Sequence, residues 1–125
     1  MEKVVSLIRF SFKENTVESI SEKIRHFYDL HYLMKNVECI EFVESDAFIN
    51  QFNTILNHDR EIFEEPAGWQ SKMITESPLV KDFSKLWEQV KAKYQMELSL
   101  LAYRPIPDEK EVAKSFEHLL GRING

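Results

Sequence analysis

Apolar residues recur at intervals of three and four along most of this chain, the spacing that places them on one side of an α-helix. The opening stretch from Glu2 to about Lys13 puts Val4, Leu7 and Ile8 on one helical face with Phe12 a turn later, although alternation from Leu7 to Phe12 also admits a strand. Lys13-Glu14-Asn15 interrupts the pattern, and Thr16 is placed to cap the next helix. From Val17 to about Lys35, the positions Ile20, Ile24, Phe27, Tyr28, His31 and Met34 define the clearest helix of the sequence. Residues 36–44 admit a helical turn or an extended piece. Ser45 caps a helix to about Glu64, with Phe48, Phe52, Ile55, Ile62 and Phe63 as its expected buried stripe. Glu65-Pro66-Ala67-Gly68 ends it, and Trp69 pins an ordered loop to Glu76. Ser77-Pro78 joins a cap to a proline at the first helical position and opens a helix to about Glu97 on Leu79, Phe83, Leu86, Trp87, Val90 and Tyr94. Pro105-Ile106-Pro107 forbids helix. Asp108 and Glu111 then form a capping-box variant before a last helix on Val112, Phe116, Leu119, Leu120 and Ile123. The expected fold is all-α, a single domain built as a bundle of about five helices.

Composition narrows the class further. At 125 residues the chain is one domain by size and long enough to bury a real core. Its 43% hydrophobic and 30% charged content is that of an ordinary globular protein. Three Gly and four Pro are too few for the turns of an all-β fold. No apolar run approaches a membrane span and no signal-peptide pattern follows Met1, so a soluble, cytoplasmic protein without membrane contact is expected. Cys39 is the single cysteine, which excludes an internal disulfide and a thiolate zinc cage. The net charge of −5 argues against dedicated DNA binding and leaves open RNA held by a local patch. Lys81, Lys85, Lys91, Lys93, Lys110, Lys114 and Arg122 alternate with acidic residues and read as ordinary surface unless packing gathers them.

Most catalytic and metal chemistries find no purchase here. His26 and His31 are five residues apart, about 140° around a helix, so they do not share one ion; His58 and His118 stand alone. No Ser lies in a Gly-x-Ser-x-Gly elbow, Cys39 has no base nearby in sequence, and the isolated glycines build no phosphate cradle. Asp59 and Glu61 have the spacing of a strand-borne carboxylate pair, yet on a helix they diverge by about 200°. What remains is the face of the clearest helix opposite Ile20, Ile24 and Phe27. It carries Glu22, Arg25, His26 and Asp29, with Arg25 one turn before Asp29 and placed to pair with it.

That face lies within RHFYDLHYL, which resembles the Arg-x-x-Tyr-Asp-Leu-x-x-Leu signature of the AbiEii/AbiGii nucleotidyltransferase toxins of bacterial abortive-infection (phage-defence) and toxin–antitoxin systems. Glu2-Lys3 with Val4, Val5, Ser6 and Leu7 is similar to the Glu-Lys-apolar helix of that family. His58 with Phe63 and Trp69, the stretch Leu79 to Tyr94, the turn Tyr103 to Pro107, and Val112, Phe116 and Leu119 are similar to its later segments, in the same order. The resemblance implies the helical C-terminal lobe of a two-lobed enzyme. Lys3 corresponds to the lobe's catalytic lysine and Asp29 to its aspartate, with Arg25, His26 and Tyr28 in supporting positions. A complete member uses Mg²⁺ and a nucleoside triphosphate, held by a Gly-Ser loop and strand-borne carboxylates in the other lobe.

None of those N-terminal motifs occurs in these 125 residues. The chain alone is therefore expected to hold no cofactor and to transfer no nucleotide, as a truncated gene product, an expressed fragment or a lobe that works with a separately encoded partner. The implied partners are the missing nucleotidyltransferase lobe, a cognate antitoxin, an RNA acceptor, or a second copy in a homodimer. Arg25 and His31 also resemble the Arg-polar-x4-His motif of HEPN ribonucleases, in which histidine acts as acid or base without metal. A third expectation is a non-catalytic interaction module, with Val5, Phe10 and Phe12 as candidates for its exposed apolar surface unless a rearranged core or a homodimer buries them.

Overall fold

The computed structural model describes residues 2–101 and 107–124. Among them run α1 (Glu2–Ser11), α2 (Thr16–Glu22), α3 (Ile24–Leu33), α4 (Val37–Val43), α5 (Asp46–Ile62), α6 (Pro78–Lys81), α7 (Phe83–Leu101) and α8 (Glu109–Asn124), with 3-10 turns at Trp69–Ser71 and Ile74–Glu76. The described residues contain no strand, and the fold is all-α. None of these helices is long and apolar enough to cross a membrane.

Among the described residues eight helices replace the expected five or so, because two long amphipathic stretches are each broken once and residues 36–44 are helical. The first break is at Lys23, whose backbone leaves the helical region at φ −106° and ψ 20°. It lets α2 pack on α1 and α7 while α3 turns to pack on α8 and α7. The second is at Asp82, at φ −151° and ψ 70°, where the carboxylate accepts a hydrogen bond from the Lys85 amide at 3.3 Å and starts α7. Asn36 decides the ambiguous stretch, since its side chain accepts from the Cys39 amide at 3.1 Å and caps α4.

Helix α1 is central, touching α2, α3, α5 and α6. A helix covered on several sides buries more than one stripe, which explains the near-continuous run Val4, Val5, Leu7 and Ile8, all fully buried. Of the three candidates for an exposed apolar surface, Val5 is instead fully buried in the core, and Phe10 and Phe12 are partly buried. On the other side of α3, the Phe27 ring lies 4.9 Å from Phe116 and 5.3 Å from Trp87, centroid to centroid, joining α3 to α8 and α7. Leu79, Phe83, Leu86, Trp87, Val90, Tyr94, Val112, Phe116, Leu119 and Leu120 are buried as the pattern predicts.

Ser77 and Asp108 cap as expected, accepting from the Leu79 amide at 3.1 Å and the Lys110 amide at 2.9 Å. Thr16 and Ser45 do not: their hydroxyls donate backwards to the carbonyls of Lys13 and Phe42. The stripe of α5 is also narrower than expected. Phe48, Phe52 and Leu56 are buried, whereas Ile62 and Phe63 are exposed at the point where the chain leaves the helix. Trp69 is buried, and its indole N–H donates to the Phe63 carbonyl at 2.8 Å, pinning the loop. Of the turn at 103–107 only Pro107 is among the described residues, and its carbonyl accepts from the Tyr94 hydroxyl at 2.8 Å.

Candidate functional site

Lys3 lies in the first turn of α1, one residue before the buried Val4, and Asp29 lies between the buried positions Phe27 and Leu30 of α3. Burial of those neighbours turns both charged side chains outward on adjoining helices. Their ends meet, Lys3 Nζ standing 3.7 Å from Asp29 Oδ2, with side chains 42% and 45% exposed. The separation exceeds hydrogen-bond length, so the ammonium and the carboxylate each keep room for another partner.

The two residues flanking this pair in the motif divide by depth. Arg25 is exposed, and Asp29 pairs with Lys3 rather than with Arg25, its helical neighbour. The local pairing expected from sequence is thus replaced by one that the α1–α3 contact creates. His26 is half-buried. Its pKa is held below the ordinary histidine value first by burial and then by the positive charges of Lys3 and Lys23, with Asp29 pulling the other way. The imidazole is therefore neutral at pH 7, beside two ammonium groups and a carboxylate.

Tyr28 and His31 make further contacts. The Tyr28 ring packs edge-on against Tyr32 at 4.8 Å. His31 is buried, and its Nδ1 lies 2.7 Å from the Ser115 hydroxyl, tying α3 to α8. Burial lowers its pKa, Lys35 lowers it further, and Glu111 opposes them. An exposed Arg25 and a core His31 are not brought together within this chain.

Sequence reasoning missed a second set of cations beside the first. The Arg9 guanidinium lies 3.9 Å from the Phe63 ring centroid and 4.8 Å from that of Phe10; the ammonium groups of Lys13 and Lys23 lie 4.5 and 4.7 Å from the Phe10 centroid. Lys23 thus faces Phe10 and also acts on His26, linking this shelf to the Lys3–Asp29 pair. Arg9, Phe10 and Lys13 are close in sequence and could have signalled it; Lys23 and Phe63 arrive only through packing.

Elsewhere, polar side chains pair both along a helix and between helices. His58 lies 3.6 Å from Asp59, and His118 Nε2 lies 2.6 Å from Glu44. Lys91 pairs with Glu88 and Lys93 with Glu97. Among the described residues no three His, Cys, Asp or Glu side chains are grouped to hold a metal ion, and Asp29 could contribute at most one carboxylate to a site completed from elsewhere. No family model, no curated protein and no solved structure matches this chain.

Proposed function

We propose that this helical body is the lysine–aspartate half of a nucleotidyl-transfer centre of the AbiEii/AbiGii kind, completed by a lobe that carries the Gly-Ser loop and the metal-binding carboxylates. The observation that supports the reading is the meeting of Lys3 and Asp29 from separate helices, 3.7 Å apart and open to solvent. An ammonium held there stabilises negative charge developing on a transferring phosphate, and a carboxylate beside it orients an acceptor hydroxyl. His26, neutral and within the field of both, is suited to accept or pass a proton rather than to bind phosphate. Among the described residues no three His, Cys, Asp or Glu side chains are grouped to hold a metal ion, and on this reading the Mg²⁺ ligands come from the other lobe.

The test is a titration of the full chain with ATP in large excess, enough to bring the triphosphate to Lys3 without the ligands of the other lobe, followed by the imidazole resonances of His26. A triphosphate settling on Lys3 and Lys23 cancels the charges that depress His26, so its pKa rises; Lys3→Ala removes most of that response. A His26 pKa indifferent to ATP, or a response unchanged in Lys3→Ala, refutes the assignment. Incorporation of labelled nucleotide into RNA by the chain alone would refute the half-site reading.

A further inference from the structure

Three cations share one aromatic ring at the end of α1. The Arg9 guanidinium and the ammonium groups of Lys13 and Lys23 all lie within 4.8 Å of the Phe10 centroid, so no two of them are farther apart than twice that distance. The negative face of the ring attracts each of them. All three residues are half-buried, and like charges held this close repel one another.

Nothing within the chain relieves that repulsion. Among the described residues Arg9, Lys13 and Lys23 have no ion pair, whereas Lys3, Lys91 and Lys93 each face a carboxylate. Arg9 makes one long hydrogen bond, from Nη1 to the Glu65 carbonyl at 3.4 Å, and its Nε is buried without a partner. Asp59 opposes the burial that lowers the Arg9 pKa, but it is not paired with the guanidinium. A compact positive region is thus left uncompensated on a molecule whose net charge is −5.

The surroundings limit the size of its ligand. Glu14, Glu22, Glu64 and Glu65 adjoin Lys13, Lys23 and Phe63 in sequence and are exposed. An extended polyanion such as a nucleic-acid strand or an anionic membrane would run across these carboxylates as well, and the net charge adds to the repulsion. With three cations this close, the Phe10 ring gathers charge rather than offering a platform for a base.

We propose that Arg9, Lys13 and Lys23, gathered on the Phe10 ring, bind a compact phosphate anion: a short polyphosphate chain, free or at the end of a nucleotide. Such a ligand meets three cations at once and replaces their mutual repulsion by attraction. The site shares Lys23 with the nucleotide response of His26 described above, but it rests on Arg9, Lys13 and Phe10 and does not require the Lys3–Asp29 pair.

The test is a calorimetric titration of the full chain with sodium tripolyphosphate and with ATP, both without magnesium, and with sodium sulfate as control, all at one ionic strength. Tripolyphosphate saturates a single site and sulfate does not. Lys13→Gln and Lys23→Gln each weaken binding by about fivefold or more, and Lys114→Gln, on α8, changes it by less than about twofold. Lys13 is part-exposed beyond the end of α1, so its variant folds. ATP binding as tightly as tripolyphosphate marks the phosphate chain as the whole ligand; tighter ATP binding that Lys13→Gln still weakens marks the chain of a nucleotide. The inference fails if tripolyphosphate does not saturate, if sulfate binds as well, or if Lys13→Gln and Lys23→Gln bind like the wild type. It fails too if Lys114→Gln loses as much as they do, or if a single-stranded oligouridylate binds more tightly per phosphate. Loss of tripolyphosphate binding in Lys3→Ala but not in Lys13→Gln would place the anion on the Lys3–Asp29 pair, overturning this inference and leaving the nucleotide reading intact.

Discussion

The proposed role for Lys3 and Asp29 requires a pair that contributes little to stability, and its geometry sets how little. At 3.7 Å two unit charges attract by about 1.1 kcal/mol in the dielectric of water. Screening at physiological ionic strength reduces this to about 0.7 kcal/mol. Ordering two half-exposed side chains opposes it, so the net coupling is a few tenths of a kcal/mol, as for other exposed pairs. The experiment is a double-mutant cycle of the wild type, Lys3→Ala, Asp29→Ala and the double variant, each unfolded in urea and monitored by circular dichroism. The four proteins should unfold within about 1 kcal/mol of one another. Raising the salt should shrink the coupling towards zero. A coupling above about 1.5 kcal/mol would make the pair a structural tie between α1 and α3, with charges committed to each other rather than poised for an external partner.

Two further outcomes come from the core. Phe27→Ala empties the junction of Phe83, Trp87 and Phe116 and should cost about 3–5 kcal/mol, a large share of a domain's stability; a thermal midpoint close to that of the wild type would contradict the packing described. For His31 the native pKa lies below its ordinary value of 6.5, so the native state binds fewer protons than the unfolded chain. Its contribution to stability is full above about pH 6.5 and is lost as the pH falls below it. His31→Gln should flatten the dependence of the urea midpoint on pH between about 7 and 5, leaving the smaller slope that His26 supplies. An unchanged slope would show that His31 is not the responsible group.

Much of the fold was legible in local spacing. The three- and four-residue periodicity places Ile20, Ile24 and Phe27, or Leu79 to Tyr94, on one face whatever the rest of the chain does, because side-chain direction on a helix is set by backbone geometry alone. Ser77-Pro78 and Asp108 were readable for the same reason, since a cap acts on amides two or three residues away. The site was only half legible. Lys3 and Asp29 stood out through a resemblance, yet the chemistry of Asp29 depends on which cation reaches it. Arg25 is nearer along the chain and Lys3 is nearer in space.

Sequence by itself determined that the chain is helical, where the core-facing positions lie and which residues can carry charge, because each is fixed by interactions within about one turn. Tertiary structure alone decided the break at Lys23, the burial of Val5, the meeting of Lys3 with Asp29, the cations on Phe10 and the uncovered face of α4. These features depend on the surface that one helix offers another across tens of residues. The same amphipathic face is covered in α1, which four helices surround, and left open in α4, where only Val43 is buried.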